Sequence, residues 1–501
     1  MDTTTLYIIL QIVISAAVAL VAVNWIYFKI LKVAKEKNIV DNPNARKLQK
    51  SPVPILGGIA VFFGVVVGVL TGATVFYMLE GAPLYKLAPV LCAMMIMIYV
   101  GALDDVIGLS PLGRIVVEVF TVLGIIFAGG GCIDSFHGLW GIESFSWWIA
   151  VPLTVFAGVG IINAINMVDG VNGLSSGLCI ACSAMYGTAF LLVGDQPNAI
   201  LAFTMAASLL PFLMHNVFGN KSRMFIGDAG TMMMGIMLVW FTISVLRSDS
   251  SLKLLAIQKN VNMIAMSLAI MSVPVFDTVR VMVQRMVHGK SPFHPDKTHL
   301  HHVLIRAGVS HSITAMTEVL IDVFIVGMWF LCTKLGGHLD FQLYLVVGLS
   351  VLLVWGLYFF IRRQEEKHTK LMHKFAKMNV RTHFGSKAWW IRIRDRLDAP
   401  EKKYAVVEEE EEEAPVSTGS TPEEFYHFDK LEEGNSRQMD RKKVFDYMKG
   451  KAEVYVDDIK ERSGAKASRV DSFVQQGIED GFIIVVKEGV WSAPEIVTLK
   501  E

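Results

Sequence analysis

The sequence predicts an all-α polytopic membrane protein of about eleven transmembrane helices, N-terminus outside and C-terminus cytoplasmic, followed by a small soluble domain. Three observations predict it. Of 501 residues, 53% are hydrophobic and only 18% charged, well outside the balance of a soluble globular chain. Apolar stretches near the length needed to cross a bilayer recur at roughly 6–31, 55–79, 87–103, 114–131, 147–165, 174–194, 197–218, 229–246, 261–279, 314–334 and 341–361. Alternating these spans collects fourteen Lys and Arg residues, from Lys32 through Arg306, on one face. Five (Lys86, Arg247, Lys253, Lys259 and Lys334) fall on the other. Positive residues mark the cytoplasmic side.

Taken in order, the first span runs well past the core of a signal peptide and no small-residue cleavage site follows it, so it reads as a retained helix. Gly57-Gly58 opens the second. The third, uncharged from Leu87 to Leu103, closes on two adjacent carboxylates, Asp104 and Asp105. An acid at the centre of a spanning helix costs roughly 2.5 to 3.5 kcal/mol on insertion scales, falling toward the interface, and two together call for a cation or a water-filled cleft. Glu118 in the fourth span and Asp322 in the tenth read as helix contacts or snorkelling acids. The fifth leads into Asn163-Ala-Ile-Asn166-Met-Val-Asp169-Gly170. The sixth holds Cys179 and Cys182, two of five cysteines; without a βαβ context or other soft ligands, their C-x-x-C spacing reads as packing. The eighth follows Phe225-Ile226-Gly227-Asp228, and the ninth carries Pro274 and Asp277.

After Ile361 the composition changes, which divides the chain into a transmembrane domain over 1–361, a juxtamembrane segment and linker over 362–436, and a cytoplasmic domain over 437–501. Lys387, Trp389, Trp390, Arg392 and Arg394 suit the headgroup layer, and the acidic run Glu408 to Glu413 reads as solvated. Helices around Val444 to Met448, Val456 to Arg462 and Ser468 to Asp480, then strands over Phe482 to Val486 and Val490 to Ser492, resemble a winged helix. From Arg441 to Glu501 there are 11 Lys or Arg and 11 Asp or Glu. The electrostatic footprint of a nucleic-acid module is missing, so no nucleic acid is expected and interaction with a protein partner is the preferred reading.

Asn163, Asn166 and Asp169, spaced by three, share one helix face. A helix cap would explain one or two of them; three polar groups beside Asp104 and Asp105 favour a site. Asp228 between two glycines is read evenly as an N-cap or as a place where backbone approaches a ligand closely. In Ser291-Pro292-Phe293-His294-Pro295-Asp296-Lys297-Thr298-His299-Leu300-His301-His302 only imidazoles are offered, with no thiolate. Hydrogen bonding to an anionic or sugar ligand is therefore preferred over zinc. Together with acids able to hold magnesium, this loop suggests a phosphate-handling pocket.

These motifs, in this order, resemble the polyprenyl-phosphate N-acetylhexosamine-1-phosphate transferases, membrane enzymes that start bacterial cell-envelope glycans. The resemblance covers residues 40 to 305 by motif and 1 to 361 by topology. Eleven spans and a P-D-[RK]-x-H-[IL]-H-H loop look like the N-acetylglucosamine-type group. The resemblance implies a multi-pass enzyme of the bacterial inner membrane that transfers N-acetylhexosamine-1-phosphate, most simply GlcNAc-1-phosphate, from a UDP-N-acetylhexosamine to undecaprenyl phosphate and releases UMP. It also implies magnesium, with manganese as the alternative ion, and Asp104, Asp105 and Asp228 as catalytic and metal-holding residues. Asn163, Asn166 and Asp169 would contact the nucleotide, with Asn216 near it, and His299, His301 and His302 the sugar phosphate. The basic loop Asn44 to Pro54 nominates Lys50 as a substrate contact. Its Gln49 stands where the family often has His, and Lys297 stands where Arg is frequent, a substitution that changes phosphate recognition. A homodimer and an unidentified protein partner of the tail complete the expected partners.

The rival reading is a transporter of a nucleotide sugar or lipid-linked sugar, since intramembrane acids also mark transport pathways. Transport sites usually lie near the midplane between repeats. Here the acids gather at one face and no internal repeat is visible. A membrane regulator acting through the tail is the other alternative.

Overall fold

The structure is a computed structural model. It describes residues 3–41, 52–80, 84–253, 260–292, 297–367, 387–410, 436–449, 451, 454–466, 469–470, 472–474, 483–487 and 496–499. The chain divides into two compact units, Met1–Lys403 and Tyr404–Glu501.

The first unit is a helical bundle. Its helices are α1 Thr3–Glu36, α2 Gly57–Glu80, α3 Ala88–Ile107, α4 Pro111–Gly129, α5 Trp147–Val168, α6 Leu174–Leu192, α7 Gln196–Phe218, α8 Gly227–Leu246, α9 Met263–Ile270, α10 Ser272–Val287, α11 Leu300–Arg306, α12 His311–Lys334, α13 Leu339–Ser350, α14 Leu357–Glu366 and, up to Lys403, α15 Ala388–Glu410. One π-helical segment, Val351–Gly356, joins α13 to α14, making a single apolar stretch over Leu339–Glu366. Ten stretches among the described residues are long and apolar enough to cross a membrane, and α9 with α10 forms an eleventh that is bent by 80°. All eleven expected spans therefore have a counterpart, and the chain is a multi-pass membrane protein.

The ninth differs from the straight span expected over 261–279. Pro274 has no amide hydrogen to continue a helical ladder, and Asp322 of α12 accepts the Val273 amide (2.9 Å) and the Ser272 hydroxyl. These contacts stabilise a helix start in mid-span. Asp322 is thus a fully buried helix contact. Elsewhere the ends follow ordinary local chemistry: Ser110 caps α4 by accepting the Gly113 amide (3.1 Å) with Pro111 at the first position, and Asn262 caps α9 through Ala265 (2.9 Å).

Helix α8 is the axle. Beyond Asp228 its sequence is uncharged all round, which suits a helix surrounded by protein, and it packs against α2, α3 and α5 with its whole span buried. Four of the five cysteines are buried and all are unpaired, in line with packing roles. A two-residue ladder, β1 Val40–Asp41 with β2 Val53–Pro54, closes the start of the segment that carries the basic loop.

The unit extends beyond residue 361 to Lys403 because α15 is pinned to the bundle. Trp390 packs on Phe218 at a 4.4 Å ring separation, and Asp398 bonds the loop after α7.

The second unit has α16 Ser436–Met448, β3 Val454–Tyr455, α17 Val456–Arg462, β4 Ile483–Lys487 and β5 Ile496–Leu499. Its antiparallel sheet runs β3-β5-β4, and Val444, Phe445, Ile459, Val470 and Phe473 form its core. The first expected strand, Phe482 to Val486, corresponds to β4. Strand β3, two residues long, left no periodic signal in the sequence. Most of the expected third helix, the expected strand over 490–492 and residues 411–413 of the acidic run lie outside the described residues, while residues 408–410 of that run, expected as linker, end helix α15.

Candidate active site

Asp104 and Asp105 sit in the last turn of α3, where one carboxylate turns toward α4 and the other toward α8. Asp104 accepts the Leu109 amide (2.6 Å) and a guanidinium nitrogen of Arg114 (3.3 Å). Arg114, one turn into α4, also donates to the Asn163 side-chain oxygen (3.3 Å) and lies 3.6 Å from Glu118. The Asn163 amide donates to Glu118 (2.5 Å) and to the Val159 carbonyl (2.9 Å). Glu118 is thus a buried helix contact, and Asn163, itself 3% exposed, belongs to a polar brace between α4 and α5.

Asp105 accepts the backbone amides of Asp228 (2.8 Å) and Ala229 (3.1 Å), so a side chain on α3 caps the N-terminus of α8. This is where a negative charge meets the positive end of the helix dipole. Gly227 makes the approach feasible. Its φ is +72°, and a Cβ there would collide with the Asp105 carboxylate and the Ile55 carbonyl. The glycine at this turn therefore admits a neighbouring side chain.

Asp228 accepts a hydrogen bond from the Asn166 amide through Oδ1, and Asn166 also donates to Thr231 (2.8 Å). Asp169, just past the end of α5, accepts the Ser175 hydroxyl (2.6 Å). It is walled by protein yet open to solvent, as a cleft residue is. That surrounding protein pushes its carboxyl up to about 6; the Ser175 hydrogen bond opposes the rise, and the charges of Asp228 and Asp41 add to it.

The turn 169–173 is held from below. Asn216 accepts the Gly173 amide (2.7 Å) and donates to the Met224 carbonyl (2.9 Å). Both faces of its amide are engaged by backbone, so the structure gives Asn216 a bracing position between two motifs.

The histidine loop docks on the same turn. A Cβ on Gly170 would stand 2.6 Å from His301 Nε2, so the imidazole lies directly on the Asp169-Gly170 backbone. His299 donates from Nδ1 to Asp277 (2.8 Å), which also takes Arg280 (2.7 Å) and the Leu300 amide (3.2 Å). Arg280 continues to the Thr298 carbonyl (2.6 Å) and covers the Tyr358 ring at 3.6 Å. Asp277 therefore shapes the loop. His301 and His302 stand with ring centroids 4.3 Å apart, and neither Nδ1 finds a hydrogen-bond partner among the described residues. Burial lowers both imidazoles, His302 to about 4 and His301 well below its ordinary value, and neighbouring cationic groups act in the same direction. Lys50 and His294 lie outside the described residues.

Hydrogen bonds thus link Asp105, Asn166 and Asp228, with Asp104 next to Asp105, and the Asp169-Gly170 turn carries His301. Among the described residues, no group of three His, Cys, Asp or Glu side chains is arranged as a ready cage for a metal ion. Magnesium does not require one: it keeps several waters and binds through one or two carboxylates plus substrate phosphates. Carboxylate oxygens are the hard donors it prefers, and Asp228 Oδ2 accepts no hydrogen bond among the described residues. Asp104 and Asp105 each have both oxygens hydrogen-bonded, Asp104 to the Leu109 amide and Arg114 and Asp105 to the head of α8.

Sequence reading did not assign Arg114 or Glu118 to this network, and it grouped Asp277 with the other acids at span ends without giving it a role beyond the cytoplasmic cleft. The spacing of Arg114 and Glu118, four apart behind a Ser-Pro cap, and of Asp277 and Arg280, three apart, is the signal that could have found the two ion pairs.

Residues 87–246 match the profile of glycosyl transferase family 4. The undecaprenyl-phosphate alpha-N-acetylglucosaminyl 1-phosphate transferase of Escherichia coli (strain K12) is 32% identical over 284 residues, 55% of this chain and 72% of that protein. The probable undecaprenyl-phosphate N-acetylglucosaminyl 1-phosphate transferase of Bacillus subtilis (strain 168) is 31% identical over 315 residues, 62% of this chain and 82% of its own. The Yersinia pestis protein of the former name is 31% identical over 281 residues, covering 55% and 72%. With its motifs joined in one site and its sequence matched across most of each relative, the chain belongs to glycosyl transferase family 4, in the group of undecaprenyl-phosphate N-acetylglucosaminyl 1-phosphate transferases.

Proposed function

We propose that the protein transfers N-acetylglucosamine-1-phosphate from UDP-N-acetylglucosamine to undecaprenyl phosphate at the cytoplasmic face of a bacterial inner membrane, releasing UMP and initiating a cell-envelope glycan. One observation carries the reading. Asn166 donates to Asp228, 62 residues away, and the Asp228 amide donates to Asp105, a further 123 away, so three separate motifs form a single hydrogen-bonded surface at one end of the bundle. A soluble nucleotide sugar and a lipid phosphate can both reach such an end, whereas a transport site would lie nearer the midplane.

In the reaction an oxygen of the lipid phosphate forms a bond to the β-phosphorus of the nucleotide sugar. The bond from that phosphorus to the oxygen bridging the α-phosphate breaks, and UMP departs with the electron pair. A phosphate whose second pKa is near 6 is largely ionised at neutral pH, so the nucleophile needs no proton removed.

The difficulty is charge. Two unit charges about 4 Å apart repel by about 4 kcal/mol at an effective dielectric of about 20. A bound magnesium ion would offset that repulsion and stabilise charge on the leaving UMP. Asp228, whose Oδ2 accepts no hydrogen bond among the described residues, is the residue we assign to hold it, with Asp104, fixed by Arg114, beside it and Asp105 fixing the start of α8. Asn166 orients Asp228. Asp169 faces the nucleotide, and the uncharged imidazoles of His301 and His302 offer hydrogen bonds to the sugar phosphate without adding a titrating charge. His299, turned by Asp277, presents Nε2 to the same ligand.

The test is UMP release by the purified full-length protein from UDP-N-acetylglucosamine with magnesium and undecaprenyl phosphate, run beside a panel of other UDP-sugars. Release that requires both the lipid and the ion supports the reading. Absence of release with every UDP-sugar rejects it.

A further inference from the structure

Outside the family motifs, Asp398 of α15 makes the densest set of hydrogen bonds to a loop. It accepts the backbone amides of Asn220 (3.2 Å), Lys221 (3.3 Å) and Ser222 (3.0 Å), and the Ser222 hydroxyl (2.7 Å). Three consecutive amides turned toward one carboxylate form an anion-binding concavity, here filled by the chain's own side chain. Asp398 is 4% exposed. Burial alone would raise its carboxyl, but the Ser222 hydroxyl and the amides outweigh it and hold the group below the ordinary carboxylate value.

The loop so gripped is the connection from α7 to α8. His215 stacks on Tyr27 at 4.3 Å and bonds the Ser222 hydroxyl (3.1 Å), and Tyr27 donates to the Ser222 carbonyl (2.8 Å). Two residues on, the Met224 carbonyl receives Asn216, whose other face holds Gly173 of the Asp169 turn. Phe225 then bonds Pro54 (2.7 Å) and Gly57 (2.9 Å), and Asp228 follows. The backbone conformation at 220–222 therefore feeds the placement of both the Asp169 turn and the head of α8.

We propose that Asp398 is a positioning residue for the transfer reaction, holding the α7–α8 loop in the shape that places Asp228 and the Asp169 turn, so that the juxtamembrane helix is a working part of the transferase. The inference rests on the reaction proposed above and reaches a residue to which the motifs assign no role.

The test uses the full chain carrying Asp398→Ala or Asp398→Asn, with two readouts. Asp398→Ala is expected to lower kcat roughly tenfold to a hundredfold, the scale of a small misplacement of reacting groups, and to raise KM for the nucleotide sugar, which the Asp169 turn faces. Asp398→Asn, which keeps an acceptor oxygen without the charge, restores part of the rate. Independently of activity, amide hydrogen exchange should quicken in Asp398→Ala both at 220–222 and onward at 226–229. Exchange that quickens only at 220–222, with kcat unchanged, overturns the proposal, as does a fall in activity matched by the unfolded fraction alone. Faster exchange through 229 in a protein whose wild type transfers no sugar phosphate upholds the positioning and rejects the reaction.

Discussion

Asp105 and Asp228 meet through backbone: the carboxylate at the end of α3 accepts the amide of the acid that opens α8, at 2.8 Å. Of two adjacent aspartates, one therefore holds the central helix, while the other, Asp104, faces Arg114 at the site.

This division separates stability from catalysis. Asp105→Ala removes the cap of α8 and is expected to lower Tm, at the level of a lost cap, about 0.5–2 kcal/mol, together with activity. Asp228→Asn and Asp104→Asn are expected to lose transfer by several orders of magnitude while Tm moves less than in Asp105→Ala. Thermal unfolding and turnover on the same three preparations check this, and near-normal turnover in Asp228→Asn or Asp104→Asn contradicts the assignment.

Asp169 carries a pH signature. Its folded carboxyl is pushed up to about 6 from an ordinary 3.8, so between those values the folded protein holds more protons than the unfolded. Its contribution to stability therefore declines as pH rises through that window. Asp169→Asn should then be more thermostable than the wild type at pH 7.5 and nearly equal to it at pH 4, while losing nucleotide binding. Tm measured at both pH values decides; a gap that shrinks toward neutral pH contradicts the placement.

The buried imidazoles act in the opposite sense. His302 titrates at about 4 rather than 6.5, so stability present above 6.5 is lost as pH falls toward 4. His302→Gln is expected to flatten this acid limb of the stability profile. In imidazole NMR of the ligand-free protein, the His302 resonance should not shift between pH 6 and 8; a midpoint inside that range would contradict the neutral-imidazole reading.

Gly170 joins two motifs by having no side chain. Gly170→Ala should push His301 from the Asp169 turn and reduce transfer by at least tenfold, a consequence of misplacing a contact, with the helical circular dichroism signal unchanged. Full activity in this variant would separate the histidine loop from the site.

Much of this architecture is legible in the sequence because bilayer-length apolar runs and charge bias are strong, redundant signals. The eleven spans and the grouping of Asp104, Asp169, Asp228 and His301 at one end followed from them. What escaped reading depends on three-dimensional neighbours. Nothing local marks Asp105 as the cap of a helix 123 residues away, and the sharp bend before Ser272 needs Asp322 as well as Pro274. The resemblance places Asn216 near the nucleotide; that its amide bridges the Gly173 amide and the Met224 carbonyl depends on contacts no local pattern marks. Asp398 drew no reading, since a single acid receiving three amides leaves no pattern of its own.

The most direct measurement follows the phosphorus. Full-length protein is given magnesium, undecaprenyl phosphate and UDP-N-acetylglucosamine labelled in its β-phosphate, and the label is traced between the lipid and aqueous phases. The account predicts that the β-phosphate passes to the lipid together with the sugar, one UMP appearing for each, and that Asp228→Asn abolishes both. Sugar reaching the lipid without the labelled phosphate, or label remaining wholly aqueous while sugar is transferred, would contradict it.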